Sequence, residues 1–327
     1  MDTRVKYLGL DLESPIIVGS CGLAADVDSL CKMQEAGAGA VVLKSIFEEQ
    51  IIYDIKRNTH IYAPVSNYGE SYTYVSQHSD PDTLQRHFDL IRQAKQRLSI
   101  PVIGSIDCYS YENWVTYARQ FQDAGCDALE LNIAIIPVDT SLSSDDVDRT
   151  FSSIVQTLRK IITIPVSVKI GTYFTDLAKY LQQLSWTGLQ GITLFNKTAL
   201  FDIDTETETF RGVSPLTAPN EFSNTLRWTA VLSKKVRCGI SATGGVETAD
   251  DVVKLILAGA TTVQAASCLM RNGIGHLQVL NDGLRQWMLH KGYDNLAQFR
   301  GRLAMTGSEK PAMLLRTQFM HDFADIK

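Results

Sequence analysis

The sequence predicts an α/β chain folded as a (β/α)8 TIM barrel, and three observations carry that prediction. First, four segments share one grammar, in which a helical pattern ends in Gly and an apolar β run follows within a few residues: Ala36–Lys44, Ala124–Asn132, Thr187–Asn196 and Ala258–Ala265. Second, four further apolar runs interleave with these, Pro15–Gly19, Pro101–Ile106, Pro165–Ile170 and Cys238–Thr243. Three of them open on a Pro, which the first position of a strand tolerates. Third, helical periodicity fills most of the gaps, and strands alternating with helices make right-handed βαβ units on a parallel sheet. Eight units close into a barrel more readily than they form an open sheet. No G-x-G-x-x-G follows the first strand to suggest a dinucleotide fold.

The eight strands fall near residues 15, 39, 101, 127, 165, 190, 238 and 261. Ahead of them, Val5–Leu12 alternates around Gly9, the pattern of a small hairpin that would close the barrel floor. Apolar residues at three- and four-residue steps predict helices over Asp26–Ala36, Pro81–Leu98, Tyr111–Asp123, Ser144–Ile161, Asp176–Leu184, Glu221–Lys234 and Thr248–Leu257. Asp26, Asp80, Ser144 and Thr248 suit N-caps, and Asp250 and Asp251 suit the first turn after Thr248. Two connections exceed a minimal loop. Ser45–Asp80, after strand two, is a long βα insertion holding Tyr53, Tyr62, Tyr68, Tyr72 and Tyr74. Lys197–Asn220, after strand six, contains the alternating stretch Thr205–Phe210, which reads as a hairpin excursion. Loops of this kind form the active-site face of a barrel, so both are candidate pocket walls. No linker divides the chain, and residues 1–327 read as one domain.

Composition narrows the function classes. Of 327 residues 45% are apolar and 20% charged, and 31 Lys+Arg against 36 Asp+Glu leave a formal charge of −5, which excludes disorder, collagen and coiled coil. A pI near 5.7 without basic blocks argues against nucleic acid or an anionic membrane as partner. No apolar signal region opens the chain and no 18-residue apolar run occurs, so a cytoplasmic location is expected. Six scattered cysteines without C-x-x-C, and six isolated histidines, point to reduced thiols and no metal.

Residues at the C-terminal strand ends of a barrel face its site. Here they are Ser20, Cys21 and Gly22; Lys44 and Ser45; Asp107 and Cys108; Asn132; Lys169; Asn196 and Lys197; Thr243, Gly244 and Gly245; Ala266 and Ser267. Two lysines closing apolar β runs, Lys44 and Lys169, each need an anion or polar ligand, because an unpaired buried charge is costly. The Gly244-Gly245 turn leads into a helix start, where exposed backbone N–H groups cradle anions. Its position after strand seven is where barrels commonly bind phosphate. A phosphorylated cofactor across the mouth fits these features. FMN would use a cation beside its ring to stabilise the reduced anion. A sugar-phosphate isomerase or aldolase, with Lys169 as a Schiff-base lysine, would use the same cradle, and these classes stay open on residues alone.

The order and spacing of several motifs resemble the dihydroorotate dehydrogenase family, the flavin barrel of pyrimidine synthesis. They are Ser14–Gly22, Leu43-Lys44-Ser45, Leu129–Asn132, Val168-Lys169, Asn196, Ala242–Thr248, Ala258–Thr261 and Gly292–Gly301, and the likeness spans roughly residues 5–304. The resemblance implies an FMN-dependent oxidoreductase acting on CH–CH groups, with Lys44 and Ser45 as flavin contacts and Lys169 as the ring cation. Ser20, Cys21 and Gly22 would pack on the isoalloxazine; Thr243, Gly244, Gly245, Ala266 and Ser267 would bind at the phosphate; Asn67, Asn132 and Asn196 would hold substrate. It also implies a homodimer of the cytosolic class, with room for an electron-transfer partner subunit. The family's strand-four motif carries a Cys or Ser base, and here that position falls on Ile135, between Ala134 and Ile136, none of which takes a proton. Ordinary dihydroorotate oxidation is therefore expected to be slow or absent, leaving a flavin-binding paralogue without turnover as the rival reading. Cys108, next to Asp107 at the end of strand three, is the substitute catalytic base the sequence offers, if a nearby lysine lowers its pKa.

Overall fold

A computed structural model describes residues 1–51, 83–108, 115–133, 135, 140–197, 201–305 and 311–324. The chain opens on a hairpin, β1 (Val5–Tyr7) and β2 (Leu10–Leu12), paired antiparallel through a Leu8-Gly9 turn with φ of 53° and 77°. Two positive φ values in a two-residue loop give a backbone twist that matches the flanking strands. Then follow β3 (Ile16–Val18), β4 (Ala40–Val42), the short β5 (Ile46–Phe47), β6 (Val102–Cys108), β7 (Ala128–Ile133), β8 (Val166–Ile170) and β9 (Gly191–Leu194). The antiparallel pair β10 (Phe201–Asp204) and β11 (Thr209–Gly212) precedes β12 (Gly239–Thr243) and β13 (Thr262–Ala265).

Strands β3, β4, β6, β7, β8, β9, β12 and β13 each pair in parallel with the next, and β13 pairs back onto β3. The result is the closed eight-stranded barrel the sequence predicts, and its strands are the eight predicted runs. The hairpin expected after strand six is β10–β11. The four repeat glycines, Gly37, Gly125, Gly188 and Gly259, all take φ between 86° and 113°, the left-handed turn that ends a helix.

Helices α1 (Val27–Glu35), α2 (Thr83–Arg97), α3 (Val115–Ala124), α4 (Ser144–Ile161), α5 (Leu177–Leu184), α6 (Phe222–Leu232) and α7 (Ala249–Ala258) correspond to the seven predicted ones. Asp26 and Thr248 cap α1 and α7 as expected, accepting from Ser29 N and Asp251 N. The cap of α4 is Ser143 rather than Ser144: its hydroxyl accepts from Asp146 N while its own N–H donates to the Asp146 carboxylate. Helices α8 (Ser267–Asn272), α9 (His276–Lys291) and α10 (Pro311–Ala324) were not foreseen from periodicity. Asp80, Asn67 and the five tyrosines of the long insertion lie outside the described residues. Among the described residues, no helix is long and apolar enough to cross a membrane.

The floor of the barrel is closed by shape. Tyr7 and Leu8 are buried, and a Cβ on Gly191 would stand 2.6 Å from Tyr7 Oη and Leu8 Cδ2. A Cβ on Gly239 would stand 2.9 Å from Tyr7 Cδ2. Two glycines thus make the space in which the hairpin seats, as Val5–Leu12 led us to expect. The opposite end, where the strands finish, remains for chemistry.

Candidate functional site

Two hollows that share a wall open at the C-terminal strand ends. The larger, about 600 Å³, is lined by Lys44, Ser45, Asp107, Asn132, Ile135, Lys169 and Asn196, among others. A cleft of about 270 Å³ runs past Thr243, Gly244, Gly245, Ala266 and Ser267, and Ser20, Cys21, Gly22 and Lys169 line both. Every described site residue read from the sequence lies on these walls except Cys108. Asn67 lies outside the described residues.

Strand register builds the centre of the site. Asp107 pairs with Asn132 across β6–β7, and Asn132 with Lys169 across β7–β8. The three side chains form one rung over adjacent strands. Asn132 Nδ2 donates to Asp107 Oδ2 in a short contact. Burial, with Glu49 and Glu48 adding to it, pushes the Asp107 carboxyl up to about 7, against the opposing pull of Asn132 and Lys169.

Cys108 does not serve as the substitute base. Consecutive strand residues point to opposite faces, so Asp107 and Cys108 do not share one. Cys108 is fully buried off the cavity wall, and burial with the Glu48 and Asp107 charges raises its thiol well above the ordinary range. A thiol so placed stays protonated and is no base.

Of the two lysines, Lys169 has its anion. Glu130, 1% exposed, holds Oε1 at 3.8 Å from Lys169 Nζ, while Oε2 accepts from Thr193 Oγ1 and Gln264 Nε2, both at 2.7 Å. A buried carboxylate survives when cation and donors surround it in this way. Lys44 stands exposed at the cavity rim. Beside it, Ser45 N donates to Ser20 Oγ at 3.0 Å, and hydroxyls of Ser20, Ser45 and Ser105 form a chain with steps of 3.0 and 2.8 Å. This chain ties the ends of strands one to three together.

The far end is made of backbone. Gly244 and Gly245 have φ of 107° and 71°, and a Cβ on Gly245 would meet Phe222 N at 2.5 Å. Ser267 Oγ accepts from Thr217 N and Thr217 Oγ1 at 2.9 and 3.0 Å, which leaves its own O–H as a donor into the cleft. This end offers backbone and hydroxyl groups, and the other offers charged and amide side chains.

Sequence reasoning gave Glu130, Gln264 and Ser105 no role and gave Asp107 only a position. The signal for Glu130 was present: it lies two residues before Asn132 in an apolar run, so it faces the same interior. The rule applied to Lys44 and Lys169 would have found it.

Comparison with known proteins agrees with the resemblance. The chain is 28% identical over 282 residues to the catalytic subunit of dihydroorotate dehydrogenase B (NAD(+)) of Thermoplasma acidophilum, covering 83% of this chain and 89% of that one. The corresponding subunit of Pyrococcus furiosus is 24% identical, with 92% and 98% covered. The chloroplastic dihydropyrimidine dehydrogenase (NADP(+)) of Arabidopsis thaliana is 22% identical, with 92% and 76% covered. A family model described as dihydroorotate dehydrogenase matches residues 77–288, more than half of the sequence, and the chain belongs to that family.

Proposed function

We propose that this chain is an FMN-dependent oxidoreductase that removes two hydrogens from a CH–CH group of a small pyrimidine-like or acidic substrate. The observation that carries the reading is the continuous strand-end hollow, with a glycine cradle at one end, the half-buried Lys169 between, and the Asp107–Asn132 pair at the other. The residues fit FMN. Gly244, Gly245, Ala266 and Ser267 would hold its phosphate, with Thr243 beside them, and Lys169 its ring. Ser20, Cys21, Gly22, Lys44 and Ser45 would line the ring, and Asn132 and Asn196 would hold the substrate. Bound there, FMN would supply a two-electron hydride acceptor. The protein's part is to orient both partners, to keep a cation by the ring and to move the accompanying proton.

The purified protein should be yellow and release about one FMN per chain on denaturation, identified by mass. A colourless protein that borohydride links covalently to a carbonyl substrate would replace this reading with the Schiff-base one. Exposed Phe201, Ile203 and Phe210 on the β10–β11 hairpin support a homodimer, which light scattering tests. The Thermoplasma relative's designation as a catalytic subunit supports an electron-transfer partner, which copurification tests.

A further inference from the structure

The strand-four loop carries Ile135 on the cavity wall, an alkyl side chain that cannot accept a proton. One strand away, Asp107 reaches the same cavity. We propose that Asp107 is the proton acceptor of this site, a catalytic residue for a dihydropyrimidine-type ring, held in line by Asn132. The inference rests on the FMN reading above and adds the group that completes it.

Geometry carries the assignment. Asp107 ends β6 beside Asn132, and among the described residues Asn132 is its hydrogen-bond partner, through Oδ2 alone. Oδ1 is thereby left to meet a ligand in the cavity. Asn132 is 7% exposed, and its Oδ1 has no hydrogen-bond partner among the described residues. A buried amide oxygen on a cavity wall calls for a donor from a ligand, because leaving it unmade costs stability. The Asp107–Asn132 pair therefore offers an acceptor for a ligand N–H next to a carboxyl for a ligand C–H. Two other titratable groups on the wall, Lys197 and Cys21, suit the task less. Lys197 is tied to Glu221 at 2.6 Å, and burial raises the Cys21 thiol. The charged groups facing Asp107 are Glu48 and Glu49 from the segment after β5, Lys169 from β8 and Lys44 across the cavity. Burial, with the Glu49 and Glu48 charges added to it, outweighs Asn132 and Lys169 and keeps Asp107 poised near neutrality, where a general base works best.

A C–H bond beside a ring carbonyl breaks and its proton passes to Asp107. The electron pair left behind would become the second bond of a C=C as the neighbouring carbon gives up its hydrogen with two electrons, for which FMN held at this site would be the acceptor. The substrate would thereby be oxidised, and the proton would leave Asp107 for water at the cavity mouth.

The test uses the full chain loaded with FMN, mixed anaerobically with dihydroorotate and separately with dihydrouracil. Flavin bleaching by at least one probe is expected, with a rate that rises as pH passes about 7. Asp107→Asn should keep its FMN and bleach roughly 10²–10⁴-fold more slowly, Asp107→Glu should recover part of the rate, and Glu49→Gln should shift the pH profile downward. Independently of turnover, the infrared spectrum should contain a protonated-carboxyl band that fades near pH 7 and is missing from Asp107→Asn. Equal bleaching by Asp107→Asn, or a titrating band that survives the substitution, would overturn the proposal. A yellow wild type that neither probe bleaches overturns it too, while leaving FMN binding intact. A colourless wild type fails the FMN reading itself, and the base falls with it.

Discussion

The two ends of the barrel mouth are built on different principles. At the seventh and eighth strands the site is backbone: two glycines with positive φ, one of which has no room for a Cβ, and a helix start beneath them. At the second to fourth strands it is side chains: Lys44, Asp107 and Asn132, set by register and tuned by neighbouring charge. A backbone cradle accepts almost no substitution and recognises a group, such as phosphate, that many reactions share. A side-chain wall can exchange one residue for another and still hold a substrate. Ile135 and Asp107 share one cavity wall, and on the proposal above proton transfer belongs to the second while the cradle stays fixed.

The sharpest way to break the cradle is Gly245→Asp. The new side chain collides with Phe222 and brings negative charge to the phosphate end, so FMN affinity should fall more than about 100-fold, as equilibrium dialysis would measure. A variant that stays fully yellow would move the phosphate elsewhere. Glu130 spans the two ends, joining β7 to β9 and β13 through Thr193 and Gln264. Glu130→Ala leaves Lys169 without its anion and should cost roughly 3–5 kcal/mol in urea unfolding. A loss below about 1 kcal/mol would show that the ends are joined by backbone alone.

Asp107 sharpens the contrast through pH. Its folded pKa, near 7, lies above the ordinary carboxyl value, so the folded state keeps a proton that the unfolded chain releases from about pH 4 upward. The stabilising contribution of that proton is present below pH 4 and is lost as pH rises through 7. Asp107→Asn removes this loss and should be roughly 4 kcal/mol more stable than wild type at pH 8 and equal to it near pH 4. Equal stability at both pH values would place Asp107 in bulk-like solvent. The smallest effect belongs to Lys169→Ala. Removing a cation from beside the ring should lower the flavin potential by about 30 mV, near 1.4 kcal/mol for two electrons, with the fold retained. An unchanged potential would put Lys169 outside contact with the ring.

These two constructions also explain what could be read in advance. Strand runs, repeat glycines and the Gly244-Gly245 turn were legible because backbone geometry restricts residue type locally. The rung Asp107–Asn132–Lys169 depends on register between strands far apart in sequence, which periodicity within one segment does not fix. The choice of Cys108 over Asp107 failed by one residue for this reason: a shift of one position reverses the face. Helices α8 and α9 follow the last strand, beyond the repeat grammar that located the others. Ser143 displaced Ser144 as cap because both residues are competent and the entry angle of the chain decides between them.

The hairpin under the barrel has a consequence for how the molecule assembles. Tyr7 and Leu8 are separated in sequence from the glycines that receive them, Gly191 and Gly239, by roughly 180 and 230 residues. Closing such distant contacts is slow, since a long loop must be ordered before the contact forms. Two side chains of the hairpin therefore find their seat only when strands far along the chain are in place. The strands that complete the floor also carry the glycine end of the mouth, so the two ends of the barrel become whole together.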